Sequence, residues 1–536
     1  MDTLAQENGT DSRERVGLLQ SSLASPRLQS LLRVFIGILS LAFLLLFLYT
    51  ALRRMRYPFE LEWIESGVLV SVRRIAQGRG LYGAPSINFV PFLYSPLYLY
   101  LVAALTKLIG ISYTAPRLVS TLSTLGSSLL IFTFVQMETR RRLAAAAAAG
   151  LFLACYPLVE AFYDIGRVDS LFVFFILLAL FLTRRNQPVL AALAWVLCFQ
   201  TKQTILPIAI VLLCVDWKHP RRILLGLGIF TAVLGSSIVW INHATHGWYT
   251  FYLFHIASGF PIVWRQAVLF LPNDICAPFA IVLVICLAAC AFTRIDLRTS
   301  KTSFYLIVTI AMYGAIEFVA AHRGAAVNSY IPLYIWTAIL FGILLDRLLT
   351  HLERSTDPRA TLAVTVVLSA TALQLAMFLY NPGRYIPSAK VREARQSFVD
   401  QIRSLPGDVY VVDHNYDAVL AGKQPHAEGE SIGTVLFMPS STVATSLLAD
   451  FNQALQTHRY SAIVVDGQLD DDPYHFQDEY PFAVSAESED VRYLTSQPTW
   501  ILFPCQTAEV IAPTVERADS SIRPGKCSAS LSAIHP

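Results

Sequence analysis

Between residues 31 and 380 long apolar runs alternate with short polar segments, and the length of those runs sets the architecture before any motif is considered. The first, 31–52, has about 22 residues, enough to cross about 30 Å of hydrocarbon as a helix. Further runs lie near 94–110, 117–137, 143–159, 169–183, 188–200, 204–215, 222–243, 276–293, 303–321, 328–348 and 360–380. Past 380 the period changes. Residues 408–413, 461–466 and 500–503 read as short buried strands, and 388–404 and 441–457 as helices between them. The expected fold class is an all-α polytopic membrane protein with a small C-terminal extracytoplasmic α/β domain. Its divisions are a cytoplasmic tail 1–30, a transmembrane part 31–380 containing a first outer loop 53–116, and a soluble part 381–536.

Arginine and lysine placement fixes the count of spans. If 94–110 lies in the interface, then Arg140–Arg142, Arg184/Arg185, Lys218/Arg221/Arg222, Arg294/Arg298/Lys301 and Arg347/Arg354 all fall on the cytoplasmic side. The same segment carries Tyr94, Tyr98, Tyr100 and Lys107, which suit headgroup depth. About eleven transmembrane helices follow, with the N-terminus inside and the C-terminal part outside. Arg53, Arg54, Arg56, Arg73, Arg74 and Arg79 in the first outer loop run against the rule, and are expected to face lipid headgroups or an anionic substrate. Hydrophobic residues at 54% and charged ones at 15% exclude disorder and an ordinary cytosolic enzyme. The net charge of +3 conceals a basic membrane part and an acidic C-terminal part.

In this topology the ionisable groups gather at one membrane face. They are Glu60, Glu62 and Glu65 in YPFELEWIESG, then Glu160, Asp164, Arg167 and Asp169 in EAFYDIGRVDS. The turn Thr201-Lys202-Gln203-Thr204 follows, then His246, His255, Arg265 and Asp274, and finally Glu317, His322 and Arg323. The helices beside the turn have only 12–13 residues, about 20 Å at 1.5 Å per residue. Lys202 is therefore expected at the floor of an outward cavity, paired either with a carboxylate such as Glu317 or with a ligand phosphate. Glu62 and Glu65, three apart, share a face if helical, and burial beside Phe59 and Trp63 raises a carboxyl toward a useful base. Asp169 reads as a helix N-cap or as a site residue. His243 and His246 are i, i+3 and His255 stands alone, which is no metal spacing. No cofactor follows, a divalent metal is left open, and there is no nucleotide-binding glycine loop or sign of nucleic-acid binding. Of eight cysteines, six lie in apolar runs, leaving Cys505 and Cys527 as a candidate pair.

The ordered set of short motifs resembles the C-type membrane glycosyltransferases, in particular the family of the protein mannosyltransferases and the lipid A aminoarabinose transferase. The resemblance runs over about residues 31–350. It rests on Glu60/Glu62/Glu65 after the first span, Tyr94-Ser95-Pro96-Leu97-Tyr98, Arg117-Leu118, Arg167-Val168-Asp169, Thr201-Lys202 and Tyr330-Ile331-Pro332-Leu333. The family's usual first-loop motif is Asp-Glu, whereas this chain has three glutamates there. The resemblance implies transfer of a sugar, with inversion, from a polyprenyl-phosphate donor to a lipid, glycan or protein acceptor at the outer membrane face. It implies Glu62 or Glu65 as base and Asp169 as a helper. Lys202, Arg265, Tyr330 and Arg323 would hold the donor phosphate, with Glu60, Tyr94 and Arg167 around the substrate. The alternative class is a polytopic lipid or solute transporter or flippase, which usually carries midplane charges and repeated halves. This chain has neither. A membrane-anchored assembly protein, the third class, has no use for the carboxylate string or the Lys turn.

Overall fold

The computed structural model describes residues 25–256, 262–293, 296, 299–322, 327–438, 441–467, 474–485, 498–505 and 522–523. Among the described residues, fourteen α-helices of seven or more residues build the first part: α1 Pro26–Met55, α2 Ile64–Ala76, α3 Leu97–Ile109, α4 Thr114–Thr139, α5 Arg142–Ala154, α6 Asp169–Arg184, α7 Pro188–Thr201 and α8 Leu206–Leu213, followed by α9 Pro220–Ala244, α10 Trp264–Phe270, α11 Ala280–Phe292, α12 Ser300–Ala320, α13 Ile331–Glu353 and α14 Pro358–Met377. Among the described residues six helices are long and apolar enough to cross a membrane, or seven if the bent segment around 268–292 counts as one span. The protein is thus a multi-span membrane protein. The other expected spans form shorter helices: α5 has 13 residues, α6 16, α7 14 and α8 only 8.

The run expected as one span at 276–293 is broken, with an 89° bend between Val268–Cys276 and Ala280–Phe292. Pro278 sits in the break, and a proline there has no amide to continue the ladder.

The alanine-rich α5 is the hub of the bundle. Nine of its 13 residues are buried, and it packs against α1, α4 and α13, an approach that small side chains permit. A Cβ on Gly342 of α13 would stand 2.9 Å from Ala148 Cβ, and one on Gly150 of α5 2.8 Å from Ser40 Cα.

The C-terminal region carries α15 Ala389–Ser404, α16 Asn415–Leu420, α17 Gly429–Leu436 and α18 Thr442–Gln456 around a mixed sheet, β1 Val409–Val411, β2 Ala462–Asp466, β3 Phe482–Ser485, β4 Pro498–Phe503 and β5 Ile522–Arg523. The strand order is β1-β2-β4-β3-β5, with β1 and β2 parallel and the other pairs antiparallel. The helices and strands expected from the sequence match these within a few residues. The Cys505–Cys527 pairing lies outside the described residues, because Cys527 does.

This region packs on the segment after α1. Arg395 of α15 donates to Asp417 Oδ2 at 2.6 Å and to Glu60 Oε1 at 3.2 Å. His414 bridges Glu60 and Asp466, the latter at 2.7 Å. Tyr416 N donates to Ser66 Oγ at 2.7 Å and Ala427 N to the Ile87 carbonyl at 3.0 Å. Arg395, Glu60, His414 and Asp417 are all at most 1% exposed. An Arg395→Ala change leaves two carboxylates buried without their guanidinium, and we expect a loss of about 3–5 kcal/mol. The measurement is a thermal melt of the detergent-extracted protein, and a melting point equal to wild type would contradict the clamp.

Candidate functional site

The site is assembled by three irregular segments at the end of the bundle where the C-terminal region docks. The first runs from the end of α1 to the start of α2. Arg117, one turn into α4, organises it. Its Nε and Nη2 reach the two oxygens of Glu65 at 3.0 and 2.7 Å, Nη1 reaches the carbonyls of Arg54 and Tyr57, and Nη2 that of Phe59. Glu65 also accepts from the amides of Leu61 and Gly166. Burial alone would raise the Glu65 carboxyl, but the Arg117 charge and these donors outweigh it and hold the pKa below the ordinary carboxylate value. Glu65 is thus a fully committed anion.

Glu62 is different. It precedes α2 rather than sharing a helical face with Glu65, because the helix begins at Ile64. Its Oε2 accepts from the Ile64 amide at 3.1 Å, and its Oε1 from Arg167 Nη1 at 2.9 Å. Burial pushes its pKa up to about 7, opposed by Arg167 and aided by Glu65.

The second segment, 155–168, ends in Arg167, which links the parts. Besides Glu62, its Nη2 donates to the Tyr94 hydroxyl at 3.1 Å, and its Nε lies 3.3 Å from Asp169 Oδ2. Its face lies 5.0 Å from the Phe162 ring. Burial would lower the Arg167 pKa, but Glu62, Tyr94 and Asp169 raise it, so it stays charged. Burial pushes Tyr94 up to about 12, so its hydroxyl remains neutral.

The third segment is the Lys202 turn. Extended backbone at Lys202 (φ −152°, ψ 114°) ends α7, and Lys202 Nζ donates to Asp169 Oδ1 at 2.8 Å. Its partner is therefore Asp169, not Glu317. Asn328, just before α13, donates to the same oxygen at 3.0 Å. Asp169 is not the N-cap of α6: Val168 occupies that position, and the carboxylate is turned toward the lysine. Asp169 Oδ2 accepts no hydrogen bond among the described residues.

Beyond Lys202 a narrow cleft runs between α6, α8, α12 and α13. Phe172, Ile176, Ile208, Met312 and Ile316 are among the apolar residues that line it, and Lys202, Thr204, Asn328 and Ser329 are its polar members.

Glu62, Arg167, Asp169, Lys202 and Tyr94 thus form one connected network. Other expected site residues fall elsewhere. Glu60 points into the docking contact with Arg395 and His414. Arg265 is exposed on α10 and makes no hydrogen bond or ion pair with the network among the described residues. Tyr330 packs on Phe270 with centroids 4.3 Å apart. Arg323 lies outside the described residues. Arg54, expected to face headgroups or substrate, is fully buried and paired with Asp164 at 2.6 Å. Within the described residues no group of three or more His, Cys, Asp or Glu could hold a metal ion.

Helical spans thus surround a buried network of acidic and basic side chains at one end of the bundle. Residues 92–319 match the model of Glycosyltransferase family 87. No curated protein matches the chain. Among solved structures the chain is similar to ArnT from Cupriavidus metallidurans bound to undecaprenyl phosphate, at 14% identity and a TM-score of 0.56, covering 87% of this chain and 97% of that one. It is similar also to the same protein in the apo state, at 15% identity and a TM-score of 0.57, covering 86% and 97%. At such identities the likeness is one of fold.

Proposed function

We propose that this glycosyltransferase moves a sugar from a polyprenyl-phosphate-linked donor to an acceptor hydroxyl, with inversion, at the membrane face carrying the C-terminal region. The observation that supports it most is the position of Lys202. Its side chain lines a narrow, mainly apolar cleft, and its ammonium is joined through Asp169 and Arg167 to a buried carboxyl with a pKa of about 7. A phosphate on a prenyl chain fits that combination of cation and hydrocarbon, and the ArnT relative is a structure with undecaprenyl phosphate. In the topology we adopt, the eleven-span one, 31–380 forms the membrane part and 381–536 an extracytoplasmic domain.

In this reading the acceptor oxygen attacks the anomeric carbon from the face opposite the phosphate. Glu62 takes the acceptor's proton as the new C–O bond forms, and the old C–O electron pair leaves on the lipid phosphate. The charges of the site favour this sequence. Arg167 and Lys202 are balanced by Glu62 and Asp169. When Glu62 becomes neutral by taking the proton, one positive charge is released to stabilise the departing phosphate. Asp169 Oδ2, which faces the Arg167 charge at 3.3 Å but accepts no hydrogen bond among the described residues, is the acceptor we assign to a sugar hydroxyl. Asp169 Oδ1 holds Lys202 until phosphate arrives. Arg265, Tyr330 and Arg323 are retained only as outer contributors to phosphate binding, and Glu60 as a docking residue.

Titration of the purified full-length protein with undecaprenyl phosphate tests the reading. Lys202→Ala is expected to bind it about 10–100-fold more weakly, the value of one charge-assisted hydrogen bond of about 1.5–3 kcal/mol. Equal binding by the variant and wild type would remove Lys202 from the site.

A further inference from the structure

We propose a second anion site, separate from the Lys202 cleft, that binds the phosphate headgroup of an anionic membrane lipid where α1 leaves the membrane. A cavity of about 660 Å³ lies between the end of α1 and the start of α15, within the size range of small-ligand sites. Arg53, Arg56 and Arg392 line it, with Leu52, Met55 and Ile386 as its main apolar walls, and no acidic side chain contributes. None of the three guanidinium groups makes an ion pair or hydrogen bond among the described residues. The network around Glu62 uses none of them.

Helix electrostatics explain only part of this. Arg53 is in the last turn of α1, where a cation complements the negative end of the helix. Arg392 is in the opening of α15, at the positive end, and no acidic residue in that first turn offsets it. Three guanidinium groups around one cavity with no carboxylate in its lining, one of them near the positive end of a helix, form an arrangement completed by an anion. Phosphate is the anion that the planar fork of arginine matches best.

The apolar wall indicates what the phosphate is attached to. Leu52 continues a stripe on α1 formed by Ile38, Leu41, Leu45 and Tyr49, each more than half exposed. Steps of three and four residues put them on one face of the helix. α1 is one of the helices able to cross the membrane, so the stripe meets hydrocarbon and leads directly to the arginines. A lipid with its chains along this face would place its phosphate in the cavity, whereas a free phosphate would leave the apolar wall unused.

The test is titration of delipidated full-length protein with dihexanoylphosphatidylglycerol, dihexanoylphosphatidylcholine and inorganic phosphate. Wild type is expected to bind the glycerol lipid at least tenfold more tightly than either alternative. R53Q/R56Q/R392Q is expected to lose at least tenfold for that lipid, and R392Q alone part of it. R221Q/R359Q, which changes two exposed arginines elsewhere, is expected to bind as wild type. All three residues of the triple variant are exposed, so its lipid-free melting point should be unchanged and report a folded protein. Unaltered binding of the glycerol lipid by the folded triple variant overturns the site. Inorganic phosphate binding as tightly as the lipid, with the same loss in the variant, overturns the lipid and leaves a free-phosphate site.

Discussion

Glu62→Gln is expected to lower turnover by about 10²–10⁴-fold, the usual contribution of a positioned general base, while leaving undecaprenyl phosphate binding close to wild type. The amide keeps the size of the side chain and a carbonyl oxygen for Arg167 Nη1, so the Arg167–Asp169–Lys202 chain that would hold the phosphate remains. What it cannot do is accept a proton. The pH dependence gives a second reading of the same group. Burial places the Glu62 pKa at about 7. Below that value the carboxyl is protonated and cannot act as base, so the wild-type rate should rise with pH and level off above about 7. The stability linkage has the opposite sign. Between the ordinary glutamate pKa and about 7 the folded protein holds a proton on Glu62 that the unfolded chain releases, so this group's contribution to stability decreases as pH rises through that window. Transfer from a donor accepted by wild type is the measurement for the rate. If the Gln variant turns over at the wild-type rate, or the wild-type rate falls as pH rises from 6 to 8, another group is the base.

The same three-residue string shows how far the sequence could be read. Apolar run lengths located nearly every helix, since hydrocarbon forces backbone polar groups to pair within a helix and an uninterrupted run is hard to mistake. Bundling of Glu62, Arg167, Asp169 and Lys202 was also legible, because costly charges near a membrane tend to meet one another. The division of labour among the glutamates was not. Glu60, Glu62 and Glu65 are equivalent in composition, and their partners come from distant segments: Arg395 for Glu60, Arg167 for Glu62 and Arg117 for Glu65. Arg117 was visible only as the residue opening a span. Asn328 carries no signal in a polar stretch ahead of α13, yet it donates to Asp169. The bend near Pro278 was hidden because the hydrophobicity of 276–293 gives no direction, although the proline itself was a signal.

Arg117→Ala is expected to prevent accumulation of folded protein. All five of the guanidinium's N–H groups are used: two on Glu65 and three on the carbonyls of Arg54, Tyr57 and Phe59. Both Arg117 and Glu65 are fully buried. Removing the cation leaves an ionised carboxylate and three carbonyls without solvent. Breaking a buried pair this way costs about 3–5 kcal/mol, a large part of the roughly 5–15 kcal/mol by which proteins are stable. Lysine supplies the charge but not five donors in a plane, so Arg117→Lys should recover little. Glu65→Gln/Arg117→Met separates the two contributions. Without the ion pair the charge penalty vanishes, and swaps of that kind are often neutral. Here the carbonyls of Arg54, Tyr57 and Phe59 still lose their donors, so the double variant should recover only part of the stability. Monodisperse elution after detergent extraction, followed by a melt, measures both. A double variant as stable as wild type would mean that Arg117 acts through charge alone, and that the loop carrying Glu62 keeps its shape by other means.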